Sequence, residues 1–297
     1  MILRNDELAF GSFHPFVLFA YYMTIIFFTM FTNNPVLLLI SLVGSGLYLV
    51  VIAMDTWRIF LYYAFILLLI TLTNPLFVHS GETILFFLND RPVTLEAFLY
   101  GGTIGLMLVT IIFWFKSYNE VMTSDKFIFL FGNISPKLSL TISMIIRYVP
   151  MFRTQTKRIH LAQKTLGLYA SDSYWDKFKS GIRVFKSLIS WSLETTVETA
   201  KSMRARGYGL KGRSHFSLFS FHQEDAVMLV INALFIVCIV LADKYHMISI
   251  TFYPTMEKLA FHPVTIFLYC MTSLFVLLPI FIELKEQLTW RLLISKI

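Results

Sequence analysis

Residues 202–216 read SMRARGYGLKGRSHF, with four Lys/Arg and three Gly in fifteen positions. The chemistry on offer is that of the guanidinium, a planar, permanently charged fork that donates in pairs to carboxylates, phosphates or carbonyls. Covalent catalysis needs more than this, and its usual signatures are missing. The chain has no G-x-x-x-x-G-K-[ST], no G-x-S-x-G and no H-E-x-x-H, so neither ATP hydrolysis nor another enzymatic activity is expected of it. Glu194 and Glu198 lie one helical turn apart, a spacing open to acid–base work. On an otherwise basic helix their expected role is intramolecular ion pairing. His14, His79 and His262 are scattered near Pro or Gly, and Cys238 and Cys270 sit in apolar runs. No metal site, disulfide or cofactor is expected in this chain.

The elements that carry the basic knot are unusually apolar. Of 297 residues, 57% are hydrophobic, 30 are Phe and only 14% are charged, with a mean hydropathy of +0.69. Such a composition points to a polytopic membrane protein. Apolar runs at 15–31, 35–54, 57–72, 97–115, 226–242 and 263–282 each approach the length of a bilayer span. Residues 1–14 are polar and mixed, unlike a cleavable signal, so the first run is expected to stay as a membrane helix. Asn33-Asn34-Pro35 reads as a tight turn, and Asp55 to Arg58 as an interfacial turn rather than a proton relay. Residues 73–95 read as a longer loop with an interfacial or re-entrant middle.

Charge orients these spans. The net charge is +7, but 147–215 alone holds fourteen of the 25 Lys/Arg and four of the 18 Asp/Glu. A local basic block beside membrane helices marks a cytoplasmic face rather than a nucleic-acid site. With both termini inside, 22 Lys/Arg fall on the cytoplasmic side and three, Arg91, Lys244 and Lys258, outside.

The middle block, 116–225, reads as helical. Ser135-Pro136 is an N-cap followed by Pro at the first helical position, Pro150 should kink the helix, and Gly167 should end it. A second helix is expected from Ser173, with Asp176 as a capping-box partner. Along it Phe178, Ile182, Phe185, Ile189, Leu193, Val197, Ala200 and Met203 recur at spacings of three and four, an apolar stripe on one face. Roughly 30 residues of helix reach about 45 Å. The helix ends at Gly207 and Gly209, with Arg206 at a terminus whose dipole favours a cation. Arg204 and Arg213 read as capping or snorkelling arginines. Arg147, after a strongly apolar run, reads as a membrane-edge anchor in preference to a contact with a partner.

RYVPMFRTQTKRIHLAQKTLG at 147–167, followed about forty residues later by SMRARGYG, resembles the transmembrane T component of energy-coupling factor transporters, the family that includes the cobalt-transport permease type. FHPFVLFAYY near the start and NPLFVHSGETILFFLNDRPVTLEAFLYG are similar to that family too, so the resemblance covers most of 10–225. It implies two Ala-Arg-Gly-like motifs at the ends of two cytoplasmic coupling helices, docking on a pair of ABC ATPases that bind the ATP. Here the second motif is intact, at Ala205, Arg206 and Gly207. At the first, Leu166 stands where the pattern has arginine and Gly167 is kept, which leaves Lys164 or an apolar contact to serve that tip.

The expected architecture is an all-α membrane protein of about six spans. Residues 1–115 form a four-helix region, 116–225 the coupling helices, and 226–297 the last spans and tail. The expected role is a non-catalytic coupling subunit in the cell membrane. It would pass motion from two ATPase subunits, a heterodimeric pair in preference to a homodimer, to a substrate-binding S subunit for a vitamin or transition-metal ion. The stripe Phe178, Ile182, Phe185, Ile189, Leu193, Val197 and Met203 would form the platform for that subunit. The alternative, a self-contained secondary transporter, needs ionisable residues inside the membrane, and the spans offer almost none. A lipid-acting enzyme needs a polar catalytic cluster that is missing from the sequence.

Overall fold

A computed structural model describes residues 8–52, 57–78, 80–88, 91–134, 136–167, 174–208, 219–245, 247–248, 250–253 and 262–294. In chain order the elements are α1 (Pro15–Phe31), α2 (Pro35–Ile52), α3 (Trp57–Phe77), β1 (Ile84–Leu88), β2 (Arg91–Thr94), α4 (Leu95–Val121), α5 (Ser124–Ile134), α6 (Pro136–Thr165), α7 (Tyr174–Ala205), α8 (Gln223–Lys244) and α9 (Pro263–Ile294). They form two compact units, one of Met1–Phe127 with Phe219–Ile297, the other of Ile128–Leu218.

Among the described residues of the first unit, five helices, α2, α3, α4, α8 and α9, are long and apolar enough to cross a membrane. The sixth expected span, α1, has 17 residues, about 26 Å of helix and short of a typical hydrocarbon core. It is also deeply enclosed: Leu18, Tyr21, Tyr22 and Ile25 have no exposed surface. Around them pack Phe10, Tyr48, Trp114 and Phe275, and Phe235 stacks on Phe275 at 3.8 Å.

Between apolar helices in lipid, polar contacts and close backbone approach hold more than apolar area does. The Trp114 indole donates to Ser41 Oγ at 3.0 Å, and Ser41 shares a hydrogen bond of 3.3 Å with Thr29. This joins α4, α2 and α1. Gly101 and Gly105 lie one turn apart on α4 and let α3 close in. A Cβ at Gly101 would lie 2.6 Å from Asn74 Cβ and 3.1 Å from the Thr71 carbonyl, and one at Gly105 3.2 Å from the Leu67 carbonyl.

Charged side chains fasten the segment before α1. Asp225 accepts from the His14 and His222 amides, both at 2.8 Å. Glu283 accepts from the Phe10 amide at 3.4 Å, and Lys126 donates to the Gly11 carbonyl at 2.7 Å.

One expectation changes. The 73–95 segment holds a hairpin rather than a re-entrant piece. Helix α3 continues to Phe77, and β1 pairs antiparallel with β2, with a register shift between Ile84 and Phe86. Strand pairing satisfies backbone groups that an irregular piece in lipid would leave open. Just beyond the apolar runs read as spans, Glu96 and Asp225 lie in the first turns of α4 and α8 and Glu283 lies in α9, all buried. Each accepts hydrogen bonds from nearby backbone or hydroxyl groups, with Glu96 bound by the Thr83 hydroxyl at 2.6 Å. Asp55 and the Arg58 side chain lie outside the described residues, as do His79 and Ser135. Cys238 and Cys270 are free thiols.

The α3–α4 seam gives a stability test. Gly101→Leu is expected to destabilise the protein by about 1–3 kcal/mol through overpacking. Gly102→Leu should be tolerated, because a Cβ there meets nothing closer than 3.9 Å. Thermal unfolding of both variants in one detergent checks this, and equal melting temperatures would overturn the assignment.

Candidate functional site: two glycine-capped helix tips

The second unit is built on α6 and α7. Pro136 opens α6, and Pro150 lies in its interior, where it has no N–H to donate to the carbonyl four residues back. Helix α7 spans 32 residues with Asp176 in its first turn. Its expected cap, Ser173, lies outside the described residues. The helices meet where the Tyr148 hydroxyl donates to Thr199 Oγ1 at 3.0 Å and Phe152 packs edge-on to Trp191 at 5.7 Å. Moving forward along α6 means moving backward along α7, so the two run antiparallel through their crossing.

Both helices stop at a left-handed glycine. After α7, Gly207 takes φ +75°, its amide donates to the Arg204 carbonyl at 3.0 Å, and the Tyr208 amide donates to Met203 at 3.1 Å. These paired bonds are the Schellman closure, which needs a left-handed residue just past the helix. After α6, Gly167 takes φ +71° and its amide donates to Lys164 at 3.1 Å. Arg206 and Leu166 therefore hold the same position, the residue immediately before the left-handed glycine. Both are exposed, Leu166 at 74%, as is Ala205.

The antiparallel crossing sends the tips opposite ways. Gly167 lies fifteen residues beyond Phe152 and Gly207 sixteen beyond Trp191, so a rise of about 1.5 Å per residue sets them on the order of 40 Å apart.

The apolar stripe is on one face of α7 and open. Phe178, Ile182, Phe185, Ile189, Leu193 and Val197 are all exposed, and Met203 is half-buried. A contiguous apolar face of this length marks an interaction surface. Glu194 and Glu198 are also exposed, and neither forms an ion pair among the described residues. The positions four residues on hold Glu198 and Ser202, while Lys201 lies three residues beyond Glu198. His14 caps α1, its ring accepting from the Phe16 amide at 3.3 Å. Among the described residues no three His, Cys, Asp or Glu side chains gather where they could hold a metal.

Sequence reading missed the polar side of the crossing. Arg147, Pro150, Met151, Thr154, Gln155 and Arg158 of α6, with Trp191 of α7, surround a cavity of about 450 Å³. The spacing of the six α6 residues was a one-face signal available from the sequence. Trp191, 33 residues after Arg158, was not.

Apolar helices long enough to cross a membrane, with two long helices that end at left-handed glycines, define a polytopic membrane protein. The family model described as cobalt transport protein matches residues 14–218, and the chain belongs to that family. This bears out the resemblance read from RYVP and SMRARGYG. Among relatives, the energy-coupling factor transporter transmembrane protein EcfT of Bacillus selenitireducens is 31% identical over 111 residues, 37% of this chain and 41% of its own. EcfT of Listeria innocua is 28% identical over 179 residues, 56% of this chain and 67% of its own. An uncharacterized MG181 homolog of Mycoplasma pneumoniae is 32% identical over 104 residues, 34% of this chain and 24% of its own. The chain thus spans less than half of the first and third of these relatives. The family match ends before α8.

The cap has a direct test. Gly207→Ala forces an L side chain into the left-handed region at about 1–2 kcal/mol. Hydrogen exchange in the last turn of α7 should therefore quicken at least about fivefold. Gly181→Ala, mid-helix with open space around it, should leave exchange unchanged or slower. Unchanged exchange in Gly207→Ala would contradict the role given to the cap.

Proposed function

We propose that this chain is the transmembrane coupling subunit of an energy-coupling factor importer. In this reading two ABC ATPase subunits dock at the tips, Arg206 with Ala205 and Gly207 at one, Leu166 with Gly167 at the other. The ATP belongs to those partners. A separate S subunit that binds a vitamin or transition-metal ion seats on the stripe from Phe178 to Met203. Closure of the ATPase pair would shift the two tips, and the crossed helices would pass that change to the seated subunit through contacts that differ between the two states.

The observation that carries this reading is the pair of tips that each end at a left-handed glycine, on opposite sides of the crossing and on the order of 40 Å apart. One protein cannot easily present both to a single small groove, whereas two neighbouring subunits can take one each. The relatives named as energy-coupling factor transmembrane proteins support the reading. The tips differ in chemistry, which favours two different ATPases over two copies of one. Arg206 offers a fork for carboxylates and carbonyls, and Leu166 an apolar plug. The substrate follows from the S subunit, not from this chain.

Co-purification with the ATPases tests the role. Arg206→Ala is expected to weaken ATPase binding at least tenfold, on the order of what a desolvated charged contact is worth, and to flatten its salt dependence. Leu166→Ala should weaken it less and leave the salt dependence as in wild type. If Leu166→Ala is the more damaging and the salt slopes are identical, the asymmetric docking is wrong. If no ATPase co-purifies with wild type, the coupling role itself fails.

The charge distribution further supports a multi-pass protein of the cell membrane with both termini cytoplasmic. With Cys238 and Cys270 replaced, a cysteine at Glu82 should react with an impermeant thiol reagent on intact cells, and one at Lys201 only after lysis. Labelling at 201 from outside would reverse the topology.

A further inference from the structure

Helix α6 holds six Lys/Arg and no Asp/Glu in its 30 residues. Arg147, Pro150, Met151, Thr154, Gln155 and Arg158 follow one another at three, one, three, one and three, which puts them on a single face. Together with Trp191 of α7 they enclose the cavity of about 450 Å³ at the crossing. No carboxylate lines it, and neither Arg147 nor Arg158 has an ion-pair partner among the described residues. The Thr154 hydroxyl is used internally, donating to the Pro150 carbonyl at 3.0 Å. The cavity thus offers two guanidinium groups and the Gln155 amide over an apolar floor of Pro150, Met151 and Trp191. That combination suits an anion with an apolar part.

The character of α6 changes at this point. Before the cavity, Leu138, Ile145 and Ile146 are exposed apolar residues; beyond Arg147 the exposed residues include Arg153, Lys157 and Arg158. A helix that turns from greasy to basic within about a turn has the pattern of one passing from acyl chains to headgroups. Trp and Tyr collect at the same level, where one end of the ring is wet and the other apolar, and Tyr148 and Trp191 occupy it here. From this we infer that the cavity seats the phosphate headgroup of an anionic glycerophospholipid. Arg147 and Arg158, eleven residues and roughly 16 Å apart along the helix, hold the headgroup charge from its two ends. Pro150, Met151 and Trp191 meet the glycerol and the first acyl methylenes. A free phosphate ion would use the arginines and leave the apolar floor without a partner. The inference requires only that the chain resides in a membrane, and it stands apart from the coupling role.

The test is native mass spectrometry of the full chain in detergent, titrated with dioleoylphosphatidylglycerol or dioleoylphosphatidylcholine. Wild type is expected to retain the phosphatidylglycerol at least about fivefold better. Arg147→Gln with Arg158→Gln should abolish that preference, at about fivefold per arginine. Arg153→Gln with Lys157→Gln, which removes equal charge from α6 outside the cavity, should keep it. Excess inorganic phosphate should not displace the lipid. The proposal is overturned if wild type shows no preference, which needs no variant to fold. It is equally overturned if both double variants lose the preference alike, which would mean general attraction to a basic helix. Displacement by inorganic phosphate would make the cavity a soluble-anion site, and retention of a co-purifying protein in place of lipid would make it a protein contact; either result refutes the lipid assignment.

Discussion

The tips of α6 and α7 depend on a single backbone state, a residue with φ near +70° just past the last helical turn. An L side chain in that state clashes with its own carbonyl, so glycine holds it without strain. Gly207 at +75° and Gly167 at +71° do so. The reversal also closes the helix end, since each glycine amide reaches back to a carbonyl that would otherwise lack a donor. The residue before each glycine is therefore held at a fixed place while its side chain projects outward. Were either helix to fray, Arg206 or Leu166 would sample many positions, and whatever binds it would have to order it first.

In the first unit, an apolar bundle in lipid cannot be held together by the hydrophobic effect alone. Close glycine contacts join α3 to α4, and the Trp114–Ser41–Thr29 network joins α4, α2 and α1. Asp225, Glu283 and Lys126 spend their charge on backbone groups of the segment before α1. The buried carboxylates of the first unit are thus fasteners.

In the second unit, the surfaces that face outward are chemically distinct and separated along the helices. An arginine marks one tip, a leucine the other, an apolar stripe runs along α7, and a basic cavity sits at the crossing. Three kinds of contact, charged, apolar and amphipathic, can thus be made at once without competing for the same residues. The crossing is the point common to all of them, because Tyr148 with Thr199 and Phe152 with Trp191 join the helix of one tip to the helix of the other.

Much of this was legible in the order of residues. Apolar runs longer than a soluble helix needs, with Lys/Arg gathered in one block, specify membrane helices and a basic domain by composition alone. Spacings of three and four specified the stripe from Phe178 to Met203, because helical periodicity is local. Gly167 and Gly207 announced helix ends for the same reason. What lay beyond the sequence were contacts between residues far apart in it. The pairing of β1 with β2 overrode the re-entrant reading, since backbone groups are satisfied by whichever segment lies alongside. The fastening of Phe10 by Glu283 joins positions 273 residues apart. Arg147 and Arg158 could be placed on one helix face from spacing, but the cavity between them exists only because Trp191 arrives from α7. Local periodicity decides which way a side chain points on its own helix; only the crossing of two helices decides what stands opposite.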